Sequence, residues 1–283
     1  MQTIHLLRPA SPDAPRRSTV VLLHASGSSP RQWRSLADTL RPRFEVIAVE
    51  LHGHGGRPAW DGARPLALAD DAALVEPLLQ RPDGVHLVGH SYGAAVALKA
   101  AMRCPEGVRS LVGYEPTLFR FLLEDDAFGM PVRDIAAVAE SIRHGLMRND
   151  ASGAAEGFID FWSGAGEWRS MSDERRSAIA GRMASVLSHF DALIDEPTAR
   201  ARMAQLAMPI LMLTGARTVE ATRRLGHVLR GALASATHET LPDMGHMGPI
   251  THAAEFNRRV AAFLHANDSL EREGHAARRA AGR

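Results

Sequence analysis

The chain has 283 residues, enough for one large α/β domain or for a core carrying a moderate insertion. Hydrophobic residues make up 45% and charged residues 23%, and 33 basic side chains face 32 acidic ones for a formal net charge of +1. That balance removes the electrostatic case for a nucleic-acid partner or an anionic membrane surface. The single cysteine, Cys104, excludes an intrachain disulfide and a cysteine-based zinc or iron–sulfur site. It reads as a small packed residue rather than a nucleophile. Lys99 is the only lysine, so Schiff-base chemistry would rest on one side chain inside an apolar helical pattern. No basic segment followed by an apolar run of signal length opens the chain, and no run of about 18 apolar residues exists to span a membrane. The expected compartment is cytoplasmic.

Residues 2–7 form a candidate edge strand, followed by a Pro- and Arg-rich loop over 8–17. Thr19–His24 is a continuous apolar run, the pattern of a strand buried on both faces. A helix is predicted over Pro30–Leu40, a second buried strand over Phe44–Leu51 and a helix over Ala67–Leu79. Strand Val85–Gly89, helix Tyr92–Met102 and strand Val108–Tyr114 follow. Strand Ile210–Thr214, helix Thr218–Leu229, strand Thr237–Leu241 and helix Ala253–Leu264 complete the order. Strands alternate with helices at both ends of the chain, which favours a mostly parallel central sheet with helices on both faces. The middle breaks this rhythm with helical patterns only. The domain reading is therefore a core over 1–116, an inserted helical cap over 117–200, the rest of the core over 201–266, and a polar tail over 267–283 expected to be disordered. Eight of the 15 aromatics fall in the insertion: Phe119, Phe121, Phe128, Phe158, Phe161, Trp162, Trp168 and Phe190. That concentration places some of them on a pocket as well as in the insertion's own core.

Gly89-His90-Ser91-Tyr92-Gly93 matches G-x-S-x-G between an apolar strand and a helix rich in small residues. This is the strand–turn–helix setting of a nucleophile elbow, whose sharp turn crowds the backbone and leaves no room for a Cβ at the two glycines. Ser91 would stand exposed above the sheet.

With these residues the chain resembles the α/β-hydrolase fold family, over nearly the whole core from Val20 to Leu264. Leu22-Leu23-His24-Ala25-Ser26-Gly27-Ser28-Ser29 followed by Trp33 looks like the family's oxyanion loop, with Ala25 in place of the usual glycine. Glu50-Leu51-His52-Gly53-His54-Gly55 resembles its D-x-x-G-x-G turn, with Glu for Asp. Gly245-His246-Met247 resembles the segment that carries the catalytic base. The resemblance implies Ser91 as nucleophile, His246 as general base, and the backbone N–H groups of Ser26 and Tyr92 as oxyanion donors. His24, His52, His54 and His90 lie in loops near the same sheet edge and read as structural or substrate-facing.

The acid departs from the commonest pattern. Gly215-Ala216-Arg217-Thr218 puts a threonine where the family usually has aspartate, and threonine cannot stabilise an imidazolium by charge. Some family members carry the acid after the strand that follows the nucleophile's, and Glu115 occupies that place here. Glu115 is favoured, Glu220 is the second candidate, and Asp243 lies only three residues before His246.

The implied activity is a serine-type hydrolase working through an acyl-enzyme on an ester, lactone or related acyl compound with an apolar portion. The same fold and triad also serve C–C bond hydrolysis, lyase, acyl-transfer and cyclase chemistry, and a non-enzymatic ligand-binding protein is the further alternative. The expected partner is a small-molecule substrate, neutral or apolar given the charge balance, with no organic cofactor. The histidines show no metal-ligand spacing such as HExxH, so no metal is expected.

Overall fold

In the computed structural model, residues 4–6, 17–125 and 129–281 are described. The loop read over 8–17 lies outside them except for Arg17, as do Phe128 and the last two residues.

Seven strands form one sheet: β1 (Ile4–Leu6), β2 (Thr19–Leu23), β3 (Glu45–Val49), β4 (Val85–His90), β5 (Val108–Tyr114), β6 (Ile210–Gly215) and β7 (Thr237–Leu241). Their order is β1-β3-β2-β4-β5-β6-β7, with β1 antiparallel to β3 and every other pairing parallel. β2 and β4 are buried at every residue, as the continuous apolar runs require when helices cover both faces. Side chains alternate between two clusters. Val21, Leu23 and Leu87 point to one face, and Val20, Leu22 and Val88 to the other.

The first part of the chain supplies α1 (Arg34–Leu40), α2 (Leu68–Ala73), α3 (Glu76–Leu79) and α4 (Tyr92–Arg103). The helix expected over Ala67–Leu79 is broken between α2 and α3. Pro77 offers no N–H to the carbonyl of Ala73, and its ring would clash with that carbonyl in a continuous helix. Between β5 and β6 lie α5 (Arg120–Leu123), α6 (Gly129–Met147), α7 (Ala151–Ser163), α8 (Glu167–Ser170), α9 (Asp173–Ala180), α10 (Met183–Ile194) and α11 (Arg200–Met203). No strand occurs among the described residues of this stretch. Their apolar side chains are continuous with the core on the α4 face of the sheet. The chain closes with α12 (Glu220–Ala232), α13 (Gly248–Thr251) and α14 (Ala253–Ala281).

α14 corrects one expectation, since helix continues well past 267. The segment NDSLEREGHAARRAA has no proline and is dominated by good helix formers. Its start is anchored: Asp268 is buried, accepts a hydrogen bond from the Ser18 hydroxyl and faces Arg109 Nη2 at 3.4 Å.

The strand order places the site. The chain passes from β2 outward to β3, then returns across β2 to β4 and continues the other way. β2 and β4 are therefore neighbours whose following loops diverge, and a crevice opens beyond their carboxyl ends. On the opposite face, Phe256 of α14 stacks on Trp33 at 6.0 Å and meets Tyr114 edge-on at 5.7 Å, all fully buried. Phe256→Ala is expected to cost about 3–5 kcal/mol of unfolding free energy in a denaturant titration.

Candidate active site

At the β4–α4 junction Ser91 adopts φ 55° and ψ −120°, a strained conformation for a residue with a side chain. Such a residue costs of order 1–3 kcal/mol and persists only where its surroundings over-determine it. Here Ser91 N–H donates to Tyr114 O at 2.9 Å, and Ser91 O accepts from the N–H groups of Ala94 and Ala95. The flanking glycines are required by contact. A Cβ on Gly93 would lie 2.2 Å from Leu23 O, and one on Gly89 would lie 2.5 Å from the Ala94 Cα. The helix is thus pressed against β2, and the serine hydroxyl is lifted clear of the sheet.

His246 sits in the loop between β7 and α13. Its Nε2 is 3.0 Å from Ser91 Oγ, and its Nδ1 is 2.7 Å from Glu115 Oε2. Donation from Nδ1–H to the carboxylate leaves Nε2 free to accept the serine proton. Glu115 follows β5 directly, with φ 47° and its side chain buried. Two further donors hold the carboxylate: Gly215 N–H to Oε1 at 2.7 Å, and the Thr218 hydroxyl to Oε2 at 2.8 Å. The threonine at the usual acid position therefore orients the carboxylate arriving from the neighbouring strand. The other two candidates lie elsewhere. Glu220 pairs with Arg223 and Arg224, and Asp243 with Arg217, all on the surface. Trp162 of α7 packs over the His246 ring at 4.2 Å between centroids and screens it from water.

The loop after β2 is built on buried neutral histidines. His54 Nδ1–H donates to His52 O at 2.8 Å, and its Nε2 accepts from Gly27 N–H at 2.8 Å. His24 bonds Ala25 O through Nδ1 and accepts from Leu51 N–H through Nε2. His90 bridges His246 O and the Gln32 side chain, whose oxygen accepts from Ala25 N–H. Each ring donates once and accepts once, a pattern only neutral imidazole can satisfy. Burial is the main cause that lowers His24 to about 3 and His54 to about 4, and it holds His90 well below its ordinary range. The N–H groups of Ser26 and Tyr92 flank the crevice, and neither has a hydrogen-bond acceptor among the described residues.

A cavity of about 830 Å³ opens over Ser91 and His246. Four of the insertion's aromatics wall it: Phe119, Phe158, Trp162 and Phe190. His24, His52, His54 and His90 do not line it, whereas His189, which the sequence reading passed over, does. His189 Nδ1 lies 2.9 Å from Ser26 Oγ, and its ring stacks on Tyr92 at 3.7 Å and 3°. The Tyr92 hydroxyl donates to Asp71 at 2.7 Å, and Asp71 also accepts from His52 N–H and Nδ1. His189 carries no local motif, since its bond to Ser26 spans 163 residues, and Asp71 is reached from His52 and Tyr92, 19 and 21 residues away. Cys104 packs against the core, and Lys99 pairs with Glu196. Among the described residues, no cluster of three His, Cys, Asp or Glu side chains could hold a metal ion. No helix among them is long and apolar enough to cross a membrane.

The histidines set an acid limit. Their folded proton affinity lies below the unfolded value near 6.5, so between about pH 6.5 and 4 the unfolded chain binds more protons and stability falls as pH falls. Each contributes up to about 1.4 kcal/mol per pH unit in that window. Denaturant titrations at pH 7, 5.5 and 4.5 are expected to show this loss. His54→Gln, whose amide keeps a donor and an acceptor without titrating, is expected to flatten the slope.

Residues 20–259 match the model of the alpha/beta hydrolase family. A bifunctional biotin biosynthesis protein of Teredinibacter turnerae is 27% identical over 278 residues, which is 90% of this chain but 46% of that longer protein. A pimeloyl-[acyl-carrier protein] methyl ester esterase of Pectobacterium carotovorum is 26% identical over 252 residues, covering 87% of this chain and 94% of the relative. Among solved structures, the enol-lactonase of Burkholderia xenovorans superposes with a TM-score of 0.72 at 19% identity, over 92% of this chain and 96% of that one, a likeness of fold. Family match, sheet order and elbow agree, and the chain belongs to the alpha/beta hydrolase family.

Proposed function

We propose that the protein is a serine-type hydrolase of a small ester or related acyl compound, with Ser91 as nucleophile, His246 as general base and acid, and Glu115 as the orienting carboxylate. The observation that carries this reading is the unbroken hydrogen-bond chain from Ser91 Oγ through both nitrogens of His246 to a buried Glu115. The esterases among the relatives support an ester as substrate.

The cycle balances on these groups. As Ser91 Oγ attacks the acyl carbon, its proton passes to His246 Nε2, and Glu115 stabilises the imidazolium that forms. The carbonyl oxygen takes up negative charge against the N–H groups of Ser26 and Tyr92. Collapse breaks the acyl–oxygen bond, and His246 returns the proton to the departing alcohol. A water then loses a proton to His246 and attacks the acyl-enzyme, and as the acyl–Oγ bond breaks His246 returns that proton to Ser91 Oγ and the acid leaves.

The aromatic wall accounts for the apolar portion of the substrate, and Trp162 over His246 shields the imidazolium from bulk water. In that drier setting each donor to the developing charge acts more strongly.

Ser91→Ala is expected to abolish ester hydrolysis and labelling by a fluorophosphonate probe. Glu115→Gln is expected to lower kcat by about 10⁴, as loss of the orienting carboxylate does in triads of this kind. Glu220→Gln is expected to stay near wild type. Equal activity of the two glutamate variants would remove Glu115 from its role. Thr218→Val removes one donor to Glu115 and is expected to lower kcat about tenfold, from about 1.4 kcal/mol of lost hydrogen bonding to a charged group.

A further inference from the structure

Arg182 stands immediately before α10 and is half-buried in the cavity wall. Its Nη1 donates to Gly27 O at 3.3 Å, and among the described residues no carboxylate lies within ion-pair distance of it. Glu167 and Glu174 line the same cavity, and neither pairs with it. Burial, then the positive charge of Arg31, lowers its proton affinity. Arg64, Arg103 and Arg259 move the other way because carboxylates hold them. Arg31 also lines the cavity and has no ion-pair partner among the described residues. The field of Arg182 reaches the oxyanion loop, where it helps keep His24 and His54 neutral.

A guanidinium drawn partly out of water without a counter-charge is costly, and a ligand anion removes that cost. Arginine presents a planar fork that matches a carboxylate in two parallel hydrogen bonds. We propose that Arg182, with Arg31 beside it, forms an anion subsite of this cavity, so that the preferred substrate is an ester carrying a free carboxylate. Arg182 meets the carbonyl of Gly27, the residue after Ser26, so the anion subsite borders the loop that carries one of the proposed oxyanion donors. This replaces the neutral substrate that charge balance alone led one to expect, since a whole-chain balance averages away unpaired cations gathered at one site.

The inference rests on the assignment of Ser91 as nucleophile, and the test separates the two. Monomethyl glutarate and methyl hexanoate form an anionic and a neutral pair of similar length. The wild type is expected to favour the anionic ester at least tenfold in kcat/KM. Arg182→Gln is expected to reduce that ratio at least tenfold, mainly through KM of the anionic ester, and Arg182→Lys is expected to restore part of it. Independently of any variant, glutarate should inhibit hydrolysis of the neutral ester competitively in the wild type, and glutaramide should not. Turnover of both esters with no charge preference and no inhibition by glutarate overturns the subsite alone. Absence of turnover together with absence of fluorophosphonate labelling overturns the hydrolase reading and the subsite with it.

Discussion

A single buried carboxylate, Glu115, ties together the loops that follow three neighbouring strands. It leaves the end of β5 and accepts from Gly215 at the end of β6, from Thr218 just beyond, and from His246 in the loop after β7. Each contact matters because a carboxylate out of water is costly unless its oxygens are satisfied. With three donors in place, burial becomes affordable and the loops share one geometry. Close backbone approach is part of the same arrangement: a Cβ on Gly215 would lie 2.2 Å from Met244 O. Replacing that glycine would separate the β6 and β7 loops and stretch the bonds on which the imidazole depends.

The other wall of the site follows a different rule. The loop after β2 is held by imidazoles that must stay neutral, each used once as donor and once as acceptor. Charged side chains in these places would carry unmatched protons or unmatched lone pairs. Burial and the nearby Arg182 both oppose protonation, so the framework that protects the loop's shape also sets its acid limit. One side of the crevice is organised around a satisfied negative charge and the other around suppressed positive ones.

Much of this was legible in the sequence because local physics dictated it. Strands buried on both faces leave apolar runs, and β2 declares itself most plainly that way. The elbow shows in the spacing of Gly89 and Gly93, which backbone contact demands. The family resemblance implied Glu115 as the favoured acid once a threonine stood at position 218, and the hydrogen bond between the two spans 103 residues. His189 was hidden for the same reason, since its bond to Ser26 spans 163 residues. Arg182 was hidden by abundance, one arginine among many, and its half-buried place in the cavity wall is what sets it apart. The end of α14 was misjudged because polarity was read as disorder, whereas Ala, Arg, Glu and Leu together favour helix.

The helices between β5 and β6 cover the cavity, and α10 also reaches the loop after β2. It reaches that loop twice: His189 meets the Ser26 hydroxyl, and Arg182, just before the helix, donates to Gly27 O. His189 also stacks flat on Tyr92, whose N–H is the second proposed oxyanion donor. Both donors are therefore referenced to one helix of the insertion as well as to the sheet. A displacement of α10 would therefore pull on Ser26 and Tyr92 together. In that arrangement a substrate anion held by Arg182 would fix the start of α10 and, through it, the loop after β2.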